Sequence, residues 1–347
     1  MKNATIQRVL RNGAVRFGAI VLAVLVTLAA LAPVLGTVDP AWLDAVNMNQ
    51  PPMTKADWTG PDNQTAPRTL LMGTDSFGRD IYSRVLYGTR ISLVVGVAVA
   101  VVALLIGTFF GLMAGYFRRV DAVLMRVMDG LMAIPGILLA IALVAAWGAQ
   151  LSTVIIAIAV PEIPRVTRLV RSLVLSIREE PYIEAAISIG TPTWKILLRH
   201  VLPNSIAPMV VQGTYVCASA ILLEAILSFL GLGLPSEIPT WGNIMAEARV
   251  VFSSAPHNMW FPGIFLAFTV LAVNLLGDGL CDTLEPTFKK RGAQRGAIRA
   301  PRSFPSAISR SPCHRAPTVN WPWSTSASMS VPERSFVCSA NQAPANR

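Results

Sequence analysis

Residues 178–204 read REEPYIEAAISIGTPTWKILLRHVLPN, and the rest of the chain is understood from this stretch outward. Pro181 suits the first turn of a helix, because its missing N–H is unpaired there in any case. Glu179 and Glu180 lie near the positive end of that helix's dipole. The helix runs to Ile189, where Gly190 supplies the positive φ of a helix end. Thr191 then caps a second helix with Pro192 at its first position, and this helix ends before Pro203. The segment is therefore two short helices joined by a tight turn.

Three uses of such a hairpin compete. It is a DNA-reading helix-turn-helix, an interfacial hairpin without a partner, or a docking element that fits a groove on another protein. An apolar run resumes at about residue 206, which pins the second helix near a bilayer and argues against entry into a DNA groove.

The surroundings are those of a membrane protein. The chain has 347 residues, of which 53% are hydrophobic and only 14% charged. Soluble domains carry about 25% charge, so a soluble enzyme is nearly excluded, as is disorder over most of the chain. Apolar runs at 17–35, 91–115, 127–147, 206–229 and 260–280 approach or exceed the length of roughly 20 residues that spans a bilayer. A weaker run at 151–166 is interrupted by Pro161, Glu162 and Pro164. Six transmembrane helices are expected. The first run follows Lys2, Arg8, Arg11 and Arg16, as a signal peptide would, but its length favours an uncleaved span.

Lysine and arginine counts orient the bundle. With six spans and both ends in the cytoplasm, 23 basic residues fall inside and six outside, which matches the positive-inside bias. Segment 1–16 is then a cytoplasmic end, 36–90 an extracytoplasmic loop, and 91–291 a core of five spans whose cytoplasmic loop is 178–204. The first part of 36–90 reads as irregular. From Thr74 onward, Ile81, Val85 and Leu86 at helical spacing predict a short amphipathic helix leading into the second span.

The net charge of +10 does not point to nucleic acid. Residues 292–347 hold seven Arg and one Glu, so +6 of the +10 lies in a tail with ten Ser and seven Pro. That composition predicts disorder, and a fused or out-of-frame extension has this appearance. The four cysteines form no CxxC pair, and the three histidines are far apart, so no metal site is indicated. No GxxxxGK[ST] occurs, so the chain holds no P-loop for ATP. An intramembrane protease lacks its motif, since no GxSxG occurs and Ser228 and His200 are not at equal depth on facing spans. A channel or stand-alone secondary carrier remains as a rival, without an evident inverted repeat.

Glu184-Ala185-Ala186, three residues, Gly190, nine residues, then His200-Val201-Leu202-Pro203 resembles the EAA loop of bacterial ABC importer permeases. The histidine is similar to the variant in the peptide and nickel branch. Further stretches resemble that branch: residues 71–93, Asp121 with 125–129, Glu224-Ala225 with 227–233, and 274–280. The likeness covers about residues 10–291 and is nearest to the C-type permease of dipeptide and oligopeptide importers. The Pro161–Pro164 segment and Cys281 depart from the pattern, and the tail after Arg291 has no counterpart in it.

The resemblance implies an all-α, type I importer permease-like fold with no catalytic residues. It implies a second homologous permease, two cytoplasmic ATP-binding subunits and an extracytoplasmic solute-binding protein. ATP and Mg would sit on those partner subunits and not on this chain. The cargo would be dipeptides or oligopeptides, with nickel or another small solute as the alternative. It makes 178–204 the coupling loop that docks on the ATPase, through Glu184, Ala185, Ala186, Gly190, His200, Leu202 and Pro203. Small residues at 185 and 186 permit close helix approach, whereas the plainer use of Glu184 is a salt bridge within the hairpin, for example with Arg178. Glu224, midway along the fifth span, is costly in a bilayer and must face a cavity or a neighbouring helix. It either lines the substrate path or makes a structural hydrogen bond. Arg79 and Asp80 either shape the external rim or form a local ion pair. Asp129 and Asp278 read as edge residues.

Overall fold

A first helix, α1, spans Gly13–Leu31 and begins where Asn12 accepts a hydrogen bond from the Ala14 amide at 3.0 Å. The computed structural model describes residues 12–60 and 65–284. The amino end before Asn12 and the expected disordered tail at 292–347 lie outside the described residues. The chain divides into the units Met1–Arg295 and Gly296–Arg347, the second of which is wholly outside them.

After a short turn at Ala32–Val34 the chain forms an antiparallel hairpin, β1 at Thr54–Thr59 and β2 at Thr65–Leu70, with Trp58 opposite Ala66. This corrects the irregular reading of the first part of the loop. Its side chains alternate, with Lys55 and Asp57 outward and Trp58 buried, which is the period-two pattern of a half-covered strand.

Helix α2 follows at Ile81–Tyr116, 36 residues in one piece. The expected amphipathic lead-in is not separate; it forms the first turns of α2. Asp80 caps the helix by accepting from the Ser83 amide at 3.2 Å, one of the four donors a helix start leaves open.

The expected third span is in fact two helices, α3 at Arg118–Ala133 and α4 at Gly136–Trp147, bent by 88°. Pro135 drives Ile134 to an extended backbone, φ −91° and ψ 129°, as the residue before proline requires. Helix α3 also carries Arg118, Arg119, Asp121, Arg126 and Asp129, which no lipid-facing span accommodates. Helix α5 then runs over Leu151–Arg178, beyond the expected end at 166 and through Pro161 and Pro164. Prolines are tolerated where neighbouring helices cover the freed backbone.

The hairpin consists of α6 at Pro181–Ser188 and α7 at Thr193–Ile196. The second helix does not stop before Pro203. It passes through a wide turn at Leu197–Val201 into α8 at Leu202–Phe229. A short helix α9 at Trp241–Ala248, capped by Thr240, precedes α10 at His257–Leu284.

Among the described residues four stretches are long and apolar enough to cross a membrane: Gly13–Val34, Ile81–Tyr116, Thr193–Phe229 and His257–Thr283. The bent α3–α4 pair makes a fifth if it counts as one span. The expected fourth span corresponds to α5, which is long enough but interrupted by Glu162, Arg165, Arg168 and Arg171.

Small residues set the packing. A Cβ added at Gly107, Gly111 or Gly115 of α2 would lie 2.5–2.6 Å from the Cβ of Val166, Val170 or Val174 on α5. Three glycines at a spacing of four thus seat three valines at the same spacing, the close approach that drives helix association in lipid. Helix α1 meets α10 in the same way. A Cβ on Gly18 would lie 2.6 Å from the Ala272 carbonyl, and one on Gly279 would lie 2.3 Å from Val15. Helix α3 is tied to α5 by charge: Arg171 pairs with both oxygens of Asp121, and Arg168 with Asp129 at 2.5 Å.

Candidate functional site

The hairpin has an anchored inner side and a bare outer one. Ile183, Ile196 and Val201 are buried in the main core. Gly190 takes φ +82° with no atom within 4 Å of a hypothetical Cβ, so its glycine serves the backbone turn and not a tight contact. Thr191 and Ile189 close the helix end, their amides donating to the carbonyls of Ala186 and Ala185 at 3.1 Å each.

His200 is half-buried, and its ring lies 6.3 Å from that of Tyr182 across the hairpin. The Asn204 amide donates both to the His200 carbonyl at 2.6 Å and to the Tyr182 hydroxyl at 3.2 Å. Asn204 thus ties the two arms, with His200 tilted beside Tyr182, Leu202 half-buried and Pro203 exposed.

Glu184 and Ala185 are exposed and Ala186 is half-exposed. Glu184 makes no ion pair among the described residues. Arg178 instead stacks over the Tyr116 ring at 5.3 Å and donates to the Tyr116 carbonyl at 3.3 Å. The same hairpin exposes large apolar side chains that the sequence reading did not single out. Ile189 is 84% exposed and Trp194 65%, with Tyr182, Ile187 and Leu198 also exposed. Exposed apolar patches bordered by charge mark interaction surfaces. The signal was present in the sequence, since ISIGTPTW places an isoleucine and a tryptophan on either side of the turn.

Glu224 lies elsewhere than expected. It sits in the last third of α8, not at its middle, and is fully buried. The Ser228 hydroxyl donates to one carboxylate oxygen at 2.8 Å, and the Ser92 hydroxyl of α2 faces the other at 3.4 Å. The Thr240 side chain is a third partner. This carboxylate joins α2, α8 and the cap of α9.

Arg79 is not exposed on a rim. It and Arg84 are buried between Asp75 and Glu247. Asp75 accepts from Arg79 Nε at 2.7 Å and from Arg84 Nη1 at 2.8 Å; Glu247 accepts from Arg84 Nη1 at 3.0 Å and also from Arg79. Arg84 also donates to the Ser236 carbonyl at 3.3 Å. Two cations and two anions therefore fasten the loop before α2 to α9. Asp80, buried, is 3.6 Å from Arg68 and bonds Ser83. Burial pushes its carboxyl above the usual value, opposed by the Ser83 bond and the Arg68 charge. Sequence reasoning found Arg79 and Asp80 but missed Asp75, Arg84 and Glu247, because Glu247 is distant in the chain. Asp278 accepts from the Tyr215 hydroxyl at 2.5 Å and Asp129 pairs with Arg168, both edge contacts.

Apolar helices packed through glycine seams, with an ion-paired loop before α2 and a bare helical hairpin between α5 and α8, are those of a multi-pass membrane protein. Residues 103–290 match the family described as binding-protein-dependent transport system inner membrane component, and the chain belongs to that family. It is similar to a probable peptide ABC transporter permease protein, y4tQ, of Sinorhizobium fredii, with 48% identity over 264 residues, 76% of this chain and 86% of that one. It is also similar to a dipeptide transport system permease protein of Alkalihalophilus pseudofirmus, with 47% identity over 218 residues, 62% of this chain and 72% of that one. A glutathione transport system permease protein of Pectobacterium atrosepticum is 48% identical over 219 residues, 63% of this chain and 73% of that one. The chain is an ABC transporter permease of the inner membrane.

Proposed function

We propose that this permease carries dipeptides or short oligopeptides inward, driven by ATP hydrolysed on partner subunits. The supporting observation for the drive is the hairpin. It exposes Ile189 and Trp194, carries a Glu184 that makes no ion pair among the described residues, and anchors itself through Ile183, Ile196 and Val201. An apolar surface of that kind fits a groove on a cytoplasmic partner, and the carboxylate suits a basic group on its edge.

The cargo reading rests on the names of the relatives, two of which are designated for peptides or dipeptides and one for glutathione, itself a peptide. In this reading both ends of the chain are cytoplasmic, as the distribution of basic residues favours. A second permease completes the pore, two ATPase subunits bind ATP and Mg, and an external binding protein delivers cargo. The bistable element is the helix bundle, switched by closure of the ATPases. Glu224 is a pin between α2, α8 and α9 rather than a cargo contact, and the Asp75–Arg79–Arg84–Glu247 cluster holds the external loop in place.

Uptake of a radiolabelled dipeptide into proteoliposomes holding the whole complex tests the reading. Uptake that requires ATP, the ATPase subunits and the binding protein supports it. Uptake by this chain alone would assign it to stand-alone carriers.

A further inference from the structure

Helix α5 presents a face unlike those of its neighbours. The exposed side chains of α2 include Val94, Val97, Val101, Leu105 and Phe109, and those of α10 include Trp260, Ile264, Phe268 and Leu271. On α5 the exposed positions Arg165, Arg168, Ser172 and Ser176 fall on one stripe, an arc of about 80° at 3.6 residues per turn, with the exposed Leu175 at its edge. The stripe begins near the middle of the 28-residue helix and runs toward the hairpin.

Arg165 lies about 20 Å from the Leu151 end of α5 at 1.5 Å per residue, about two-thirds of the way across a hydrocarbon core of about 30 Å if that end marks its edge. A guanidinium there does not face lipid; it faces water or a partner. Its side chain is 58% exposed, while Glu162 beside it is 3% exposed. Glu162 holds Arg165 through a single nitrogen: Nη1 donates to both carboxylate oxygens, at 3.0 and 3.3 Å. The Ser219 hydroxyl of α8 fixes the same carboxylate at 3.1 Å. Among the described residues Nε and Nη2 of Arg165 make no hydrogen bond. Arg168 and Arg171, by contrast, are spoken for by Asp129 and Asp121 on α3.

We infer that the α5 stripe lines the aqueous path and that Arg165, oriented by Glu162 and Ser219, receives the carboxylate of the cargo as it passes. A guanidinium with an unpaired fork matches a carboxylate better than any other side chain. A peptide always carries such a group at its carboxyl end, whatever its side chains. Glu162 is too buried to meet the amino end; it positions Arg165. The inference rests on the peptide-import reading.

The test uses the whole complex and radiolabelled dialanine. Arg165→Gln should lower the maximal uptake rate about tenfold or more, the worth of one charge-assisted hydrogen bond, with KM unchanged because the binding protein captures the cargo. Arg165→Lys should recover most of the rate. In a complex with its native cysteines replaced, the Arg165→Cys thiol should react with a membrane-impermeant thiol reagent. Dialanine should slow that reaction and dialanine amide should not. An unchanged rate in Arg165→Gln, failure of lysine to rescue, or a thiol unreactive in every nucleotide state would overturn the inference and leave peptide import standing. No ATP-dependent peptide uptake by the wild-type complex would overturn both.

Discussion

Gly111 of α2 and Val170 of α5 are in such close register that a Cβ on the glycine would lie 2.5 Å from the valine Cβ. The same relation repeats one turn above and one turn below, so the two helices are held by a seam of bare backbone. Gly111→Leu should therefore destabilise the detergent-purified chain by about 1–3 kcal/mol, as overpacking does. Gly130, with nothing within 4 Å, is the control. Gly130→Ala should stabilise α3 by about 0.5–1 kcal/mol. Thermal unfolding distinguishes the two signs, and equal effects would show that the seam does not hold the helices.

Removing Glu247 leaves Arg79 and Arg84 with Asp75 alone. Breaking a buried pair costs about 3–5 kcal/mol, and the partial exposure of Glu247 argues for the lower end. Glu247→Gln should speed limited proteolysis in the segment before Ile81 while cleavage at the helical hairpin stays as in the wild type. Unaltered cleavage before Ile81 would mean that the β-hairpin, not the ion cluster, secures the loop.

The buried carboxyl of Asp80 supplies a pH dependence. Its folded-state value is raised, by burial first and against the Ser83 bond and Arg68. A raised carboxyl binds its proton more tightly when folded, so its contribution is fully present below the ordinary carboxylate value and is lost as pH rises through the raised one. Asp80→Asn cannot lose a proton. The stability of the wild type relative to Asp80→Asn should thus fall as the pH rises above about 4, the ordinary carboxylate value. A difference that grows with pH would show that the Arg68 charge outweighs burial.

At the hairpin, Ile189→Asp and Trp194→Asp change side chains that touch little of their own chain. Surface changes of this kind usually stay within about 0.5 kcal/mol, so the melting temperature should hold while ATP-driven uptake falls. A matching loss of melting temperature would mean that these residues serve the fold instead.

The apolar helices α1, α2, α8 and α10 were legible because each is a long apolar run, a signal that needs no partner to interpret. The hairpin was legible for a different reason: Pro181, Gly190 and Pro192 punctuate the backbone locally. What could not be read was set at a distance. The 88° bend depends on Pro135 acting together with a charged α3. The extension of α5 past Pro164 depends on the glycines of α2, whose spacing matches the valines but lies more than fifty residues away in the chain. The buried cluster joins Asp75 to Glu247, and the setting of Glu224 depends on Ser92 of α2, far away in the chain. The β-hairpin carried a local alternating pattern, Lys55, Asp57 and Trp58, hidden in a loop rich in turn residues.

The most direct measurement is affinity capture of the solubilised complex through this chain, followed by mass spectrometry. Wild type is set beside Glu184→Lys, Gly190→Pro and Ile189→Asp. The account predicts that wild type brings down a P-loop ATPase and a second permease, and that the hairpin variants keep the permease but lose the ATPase. An ATPase retained equally by all three variants would contradict the docking role of the hairpin.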